Sequence, residues 1–289
     1  MTRSQIGGTV TSVGLCLHVP RRRVPMEPFW MDVIRGIEDG LAAHELTLLV
    51  QVVQGIEDEV ATLERWARDG NVAGVVVADL VPDDPRLDLV RQLKIPAVVM
   101  GRAEDSAGLA TVAAHDAETM NRAIDFLADA GHDVIGRVTG PQRYVHTQLR
   151  SESFVAAGER RGVHTSSVES DFTSGSGARA TGELLEREGT PTAILYDNDV
   201  MALAGLDVLA ARGLSIPGDV AVMAWDDSVH CQLAHPPVTA FNHDLQSMGL
   251  TVANALLRVL DGDRDVHEQL APPRLIERES TRVSESNAE

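Results

Sequence analysis

Lysine is all but missing from this chain: Lys94 is the only one, in the loop-like run Leu93-Lys94-Ile95-Pro96. That argues against a lysine Schiff base and against a phosphate-cradling Gly-Lys-Ser/Thr loop. Cysteine is almost as scarce. Cys16 and Cys231 are too few for a disulfide framework and read as core or loop thiols of a reducing compartment. No apolar run reaches the roughly 18–20 residues of a membrane span. The start, Met1-Thr2-Arg3-Ser4-Gln5-Ile6-Gly7-Gly8, lacks the apolar stretch of a signal peptide, so a cytoplasmic location and no membrane partner are expected. Positive charge is in deficit, with 25 Lys and Arg against 43 Asp and Glu and a formal net charge of −18. A chain this acidic repels phosphate backbones and is not expected to bind DNA unaided.

What is present is the composition of a globular protein, 44% hydrophobic and 24% charged over 289 residues, a length that suggests about two domains. The periodicity alternates strand and helix: strand 11–19, helix 29–43, strand 47–53, helix 57–68, strand 72–77, short helix 86–93 and strand 97–100. The nearly unbroken apolar run Val72-Ala73-Gly74-Val75-Val76-Val77 marks a parallel sheet covered on both faces. The pattern then restarts: helix 118–129, strand 134–138, helix 150–160, strand 167–169, helix 177–188, strand 192–196, helix 200–211 and strand 220–225. A helix over 245–260 and a strand over 274–277 pack back on the two lobes, and 284–289 is a polar, frayed end. The expected fold is α/β, with two doubly wound parallel-sheet lobes.

Only ten residues are aromatic, and six of them, Phe29, Trp30, Tyr144, Phe172, Tyr196 and Trp225, fall at or just beyond expected strand ends. Open parallel sheets bind ligands outside the carboxyl ends of their strands, and aromatic faces beside converging polar groups hold sugars or bases there. Arg150, Asn198, Asp199, Asp226, Asp227 and His243 occupy comparable loops or helix starts. The plainer reading makes these aromatics core caps and Asn198 and Asp199 helix caps. Six of ten on one side of two sheets counts against it for the set, while Asp199 is explained fully as an N-cap. Asp83-Asp84 reads as a solvated helix start.

Enzymatic signatures are lacking. No Gly-x-Ser-x-Gly or His-Glu-x-x-His occurs, Gly175-Ser176-Gly177 reads as a helix entry, and His230, Cys231 and His235 match no common zinc spacing. The chain is not expected to be an enzyme, nor to hold a metal or cofactor. Val200, Met201, Leu203, Ala204, Leu206, Val208 and Leu209 make one helix apolar nearly all round, as a subunit interface would, so a two-fold homodimer is expected.

A series of short motifs in fixed order carries a family resemblance. It includes Glu27-Pro28-Phe29-Trp30, Ile34-Arg35-Gly36-Ile37-Glu38, Ala130-Gly131-His132, Thr139-Gly140-Pro141, Arg150 before Phe154, and Asp171-Phe172-Thr173. Pro191-Thr192-Ala193-Ile194, Asn198-Asp199-Val200-Met201-Ala202-Leu203, Gly213-Leu214-Ser215-Ile216-Pro217-Gly218-Asp219-Val220, Trp225-Asp226-Asp227, Pro236-Pro237-Val238-Thr239 and Arg278-Glu279-Ser280-Thr281 follow. In this order, from about Ser12 to Arg282, the chain resembles the effector-binding core of lac-repressor-like (LacI/GalR-type) transcription regulators, which has the type I periplasmic-binding-protein fold.

The resemblance implies two lobes joined by three crossovers near Gly131, His243 and Ala271. The first would comprise 12–130 plus 244–270, the second 131–243 plus 271–283. It implies a cleft between them holding a small polar effector, most simply a sugar, contacted by Phe29, Tyr144, His146, Arg150, Phe172, Asn198, Asp226 and His243. It further implies a homodimer that controls DNA binding. The family's helix-turn-helix reader is absent from this sequence, so DNA is a partner only through such a domain. Arg21-Arg22-Arg23, His243 and Trp225 depart from the usual pattern, the last two within the expected site. Two other readings share the fold: a solute receptor for a sugar transporter, and a stand-alone sensor without a DNA reader.

Overall fold

The structure is a computed structural model and describes residues 11–18 and 26–282. The expectations for Arg21-Arg22-Arg23, for the first ten residues and for 284–289 lie outside the described residues. The chain divides into two compact units. The first takes in 11–18, 26, 30–113 and 245–270; the second takes in 27–29, 114–244 and 271–282.

The first unit is built on β1 (Ser12–His18), α1 (Pro28–Ala42), β2 (Thr47–Val53), α2 (Ile56–Asp69), β3 (Gly74–Val77), α3 (Pro85–Leu93), β4 (Ala97–Met100) and β5 (Ala110–Ala113). In the second unit follow α4 (Asp116–Asp129), β6 (Val134–Thr139), α5 (Val145–Arg161), β7 (His164–Glu169), α6 (Ser174–Glu186), β8 (Ala193–Tyr196), α7 (Asp199–Ala211), β9 (Ala221–Ala224), α8 (Val229–Leu233) and β10 (Thr239–Asn242). The chain then returns to the first unit with α9 (Leu245–Leu260) and β11 (His267–Gln269), and ends in the second with β12 (Arg274–Ile276).

The first sheet has the order β11-β5-β4-β3-β1-β2, with every pair parallel. The second has the order β12-β10-β9-β8-β6-β7, parallel except for β12, which runs antiparallel to β10. Each is the doubly wound α/β arrangement.

Period-two alternation builds two cores on the second sheet. Val138, Ile194, Tyr196, Val222 and Ala224 face α6 and α7, whereas Ile135, Ala193, Leu195, Ala221 and Met223 face the opposite helices. Met120, Ile124 and Leu127 of α4 belong to the latter core, packed with Phe154 of α5. Arg160 and Arg161 of α5 also pair with Asp125 of α4, the former at 2.7 Å. Helix α4 therefore belongs to the second unit, not to the first lobe where the sequence reading put it. The chain passes between units after Ala113, well before Gly131; its later passages follow Asp244 and Leu270.

In the first unit α1 crosses α9 closely enough that a Cβ on Gly36 or Gly249 would strike the other helix's backbone. Asp84 caps α3 by accepting from Arg86 N, as a helix start should, but it is buried rather than solvated. Arg86, 1% exposed, donates to Asp84 through Nε at 2.9 Å, to Glu59 through Nη1 at 2.7 Å and to the Asp79 carbonyl. His18 closes the network on Glu59 at 2.8 Å. Both cysteines are buried, and desolvation pushes each thiol up to about 12, so neither is a nucleophile at neutral pH. Among the described residues no helix is long and apolar enough to cross a membrane.

Candidate functional site

In the second unit the chain runs β6 to β7 on one side and returns to β8 on the other, so the strand order reverses between β6 and β8. Such a switch point leaves a crevice at the carboxyl ends of the strands. Arg137, fully buried on β6, helps fix the strand ends at this switch point. It donates from Nε and Nη2 to the two oxygens of Asp197 at 2.7 and 2.6 Å. Asp197, directly after β8, also accepts from Gly140 N, directly after β6, at 3.0 Å. One buried carboxylate thus ties both strand ends together. Gly140 has to be glycine because a Cβ there would enter the ring of Phe172.

Asn198 organises the next layer. Its Oδ1 accepts from Met201 N at 2.9 Å and caps α7. Its Nδ2 donates to the Phe172 carbonyl at 3.0 Å and to Glu27 Oε2 at 2.9 Å. Phe172 has a left-handed backbone, φ 67°, a conformation that a bulky residue keeps only under constraint; the Asn198 amide supplies part of it. From Phe172 an aromatic row extends outward. His146 stacks on it with centroids 6.5 Å apart, and Tyr144 stacks on His146 at 5.5 Å. Arg143 covers the outer ring and donates to its hydroxyl at 2.8 Å.

The other wall is charged. Arg150 of α5 donates from Nε to Asp116 Oδ1 at 2.6 Å, and its guanidinium lies 4.0 Å from the centroid of Trp225. Burial works against ionising either partner. The Arg150 charge nevertheless brings the Asp116 carboxyl below its usual range, and Asp116 keeps Arg150 firmly protonated. Trp225 stacks on His243 at 5.7 Å. Desolvation, then the nearby Arg150 charge, push the His243 imidazole down to about 4, so it is neutral at physiological pH. Its Nε2 lies 3.0 Å from the Trp225 carbonyl, which can only accept. The proton therefore sits on Nε2, and Nδ1 is left as an acceptor.

Asp226 is 6% exposed, and its Oδ1 has no hydrogen-bond partner among the described residues. Burial first, then the charge of Asp199, push its carboxyl well above the usual range, against the pull of Arg150. Asp199 Oδ2 is in the same state, and its carboxyl is also raised by burial. Asp227 instead pairs with Arg278 at 2.8 Å.

Seven of the eight expected ligand residues, Tyr144, His146, Arg150, Phe172, Asn198, Asp226 and His243, thus lie on loops and helix starts of one unit. Contacts run along the aromatic row to Asn198 and from Arg150 to Trp225 and His243. Phe29, half-buried in the first turn of α1, is grouped with that same unit.

Three expectations change. Tyr196 is core: its hydroxyl bonds Thr181 Oγ1 at 3.0 Å and fills the space above Gly205. Asp199 is the first helical residue, and Asn198 is the cap. Asn198 itself has both its amide donations committed within the protein. Sequence reasoning missed Asp116, Asp197 and Glu27 as members of the cluster. Asp116 follows a short strand, and Asp197 sits between Tyr196 and Asn198, so their placement beside strand ends was the available signal.

Two doubly wound sheets, the second with a polar and aromatic cluster at its topological switch point, are the architecture of the periplasmic-binding-protein class. The periplasmic binding protein-like domain matches residues 124–281, more than half of the chain. The helix-turn-helix-type transcriptional regulator CelR of Thermobifida fusca is 30% identical over 291 residues, covering 98% of this chain and 83% of that protein. The Escherichia coli K12 repressor CytR is 27% identical over 265 residues, covering 89% and 76%. Among solved structures, a LacI family regulator from Bifidobacterium animalis subsp. lactis is 34% identical at TM-score 0.86, covering 94% of this chain and 98% of that one. The CelR–cellobiose complex is 28% identical at TM-score 0.85, covering 93% and 84%. The chain belongs to the lac-repressor-like family of transcription regulators and carries its effector-binding domain.

Proposed function

We propose that this chain is a cytoplasmic effector sensor, not an enzyme, and that a small polar molecule binds against the switch-point cluster of the second unit. The observation that carries this reading is that Arg150 and Asp226 stand near each other without bonding. One is a guanidinium fixed by Asp116 and laid on Trp225; the other is a buried carboxyl with an oxygen left unpartnered. Buried polar groups without partners cost a fold stability unless a ligand completes them, and the flat ring of Phe172 offers the apolar face that a sugar ring packs on. A sugar is the first ligand to test, supported by the cellobiose held by the related CelR. Tyr144, His146, Arg150, Phe172, Asp226 and His243 contact it in this proposal, with Phe29. Asn198 holds Phe172 in place.

The sensor works as a two-fold homodimer, with the half-buried Val200, Leu203 and Val208 of α7 in the subunit interface, and passes occupancy of the site to a helix-turn-helix DNA reader. The coupling is reciprocal: DNA changes effector affinity by the same factor. A thermal-shift screen against sugars, polyols and nucleobases, with Arg150→Ala in parallel, tests the site. A ligand at 100 times its Kd adds about 2.7 kcal/mol, and the resulting rise in Tm is expected to fall to about half or less in Arg150→Ala. A rise undiminished by the substitution places the ligand elsewhere.

A further inference from the structure

The charges around the switch point constrain which sugars can enter, given the proposed site. Two guanidinium groups, Arg137 and Arg150, stand among five carboxyls: Asp116, Asp197, Asp199, Asp226 and Glu27. Both are already matched, Arg137 by both oxygens of Asp197 and Arg150 by Asp116. Arg278 is taken up by Asp227. His243 is neutral. Arg143 is exposed and engaged with Tyr144 at the outer end of the aromatic row. Asp226 and Asp199 thus form no ion pair with an arginine or lysine among the described residues, although His230 of α8 lies near Asp199, and each keeps an unpartnered buried oxygen.

We propose that the site accepts sugars that bring hydroxyl or ammonium donors to Asp226, neutral sugars and amino sugars, and turns away acidic and phosphorylated ones. An incoming carboxylate or phosphate would have to lose its water beside Asp226 and Asp199, with the charges of Arg137 and Arg150 already balanced by Asp197 and Asp116. A hydroxyl completes the bare Asp226 oxygen, and an ammonium adds a charge-assisted bond. The rejection of anions is specificity by an unfavourable alternative, built from carboxyls that destabilise the ligand-free chain.

The groups facing Asp226 are Asp199 at the start of α7, Arg150 on α5, Asp197 after β8, and Glu27 before α1. Because Asp226 and Asp199 ionise less readily in the folded than in the unfolded chain, their ionisation opposes folding. The penalty is absent below the unfolded carboxylate range and grows as pH rises through the raised values.

The test melts the wild-type chain at pH 7.5 with glucose, glucosamine, glucuronate, glucose 6-phosphate, cellobiose and cellobionate, and repeats it in Asp226→Asn and Arg150→Ala. The neutral and amine-bearing sugars are expected to raise Tm, and their acidic counterparts to bind at least tenfold more weakly. Asp226→Asn should erase any preference for glucosamine over glucose. An acidic sugar or phosphate that binds within tenfold of its neutral counterpart and is lost in Arg150→Ala overturns the charge class while leaving the site in place. Affinity and preference unchanged by both substitutions overturn the site itself. Without ligand, Asp226→Asn and Asp199→Asn should each melt above wild type at pH 8, by a margin that shrinks toward pH 5. A pH-independent margin, or lower melting at pH 8, overturns the uncompensated-carboxyl account.

Discussion

At the scale of single residues, the site is defined less by which side chains are present than by which are already bonded. Arg150 keeps one edge on Asp116 and its face on Trp225, so its position is set before a ligand arrives. Arg150→Ala is expected to weaken effector binding roughly ten- to a hundredfold, as loss of a hydrogen bond to a charged group does at about 1.5–3 kcal/mol. Phe172→Ala is expected to cost less. Isothermal titration of the two variants checks that order. Asn198→Ala should lower stability by about 1 kcal/mol through the lost cap of α7, with a further loss of affinity as Phe172 is released. Asn198→Asp keeps the cap oxygen but loses both donations, so retained stability with reduced affinity would separate the two roles in urea melts and titrations. The residue types were readable in advance because Phe, Arg, Asn and Asp at strand ends have few other reasons to gather there. Asp116 and Asp197 were not, because a carboxylate's importance here comes from which guanidinium it meets across the fold.

At the scale of elements, periodic segments and apolar runs were legible, short strands such as β4, β8 and β9 among them, while three short strands were not. The runs that became β1, β3, α2 and α7 carry their period in seven or more residues or an unbroken apolar stretch. Strands β5, β10 and β11 have three or four residues each, too few to show an alternation, and β11 contributes only His267, Glu268 and Gln269. Helix α4 was recognised but credited to the wrong lobe, since a helix's apolar face does not say which sheet it covers; Met120, Ile124 and Leu127 decide that by packing on Phe154. The buried Arg86 network joins β1, α2 and α3 in the first unit. Arg86→Met leaves Glu59 and Asp84 buried without their cation and is expected to cost about 3–5 kcal/mol in urea unfolding. Adding Glu59→Gln and Asp84→Asn should recover much of it. Burial disfavours the Asp84 charge, but Arg86 outweighs it and lowers the carboxyl. That contribution is present above the unfolded carboxylate range and is lost as pH falls through the lowered value.

At the scale of the whole molecule, the alternation of strand and helix and the order of short motifs foretold two parallel-sheet units, because covered parallel sheets leave an unmistakable apolar signature. The points where the chain changes unit were less legible, since they depend on tertiary packing. Light scattering is expected to show a dimer at micromolar concentration, and Val208→Glu on α7 to give a folded monomer; a wild-type monomer would remove the proposed subunit interface. The central claim is that the effector sits on the switch-point cluster of the second unit. The most direct test titrates the sugar giving the largest rise in Tm while tryptophan emission is followed in the wild-type chain and in Trp225→Phe. Trp225 is the tryptophan of the cluster, whereas Trp30 and Trp66 belong to the first unit, so the comparison with Trp225→Phe isolates its signal. A saturating change in the wild type that is abolished or strongly reduced in Trp225→Phe is the predicted result. The same full change in Trp225→Phe would contradict the account.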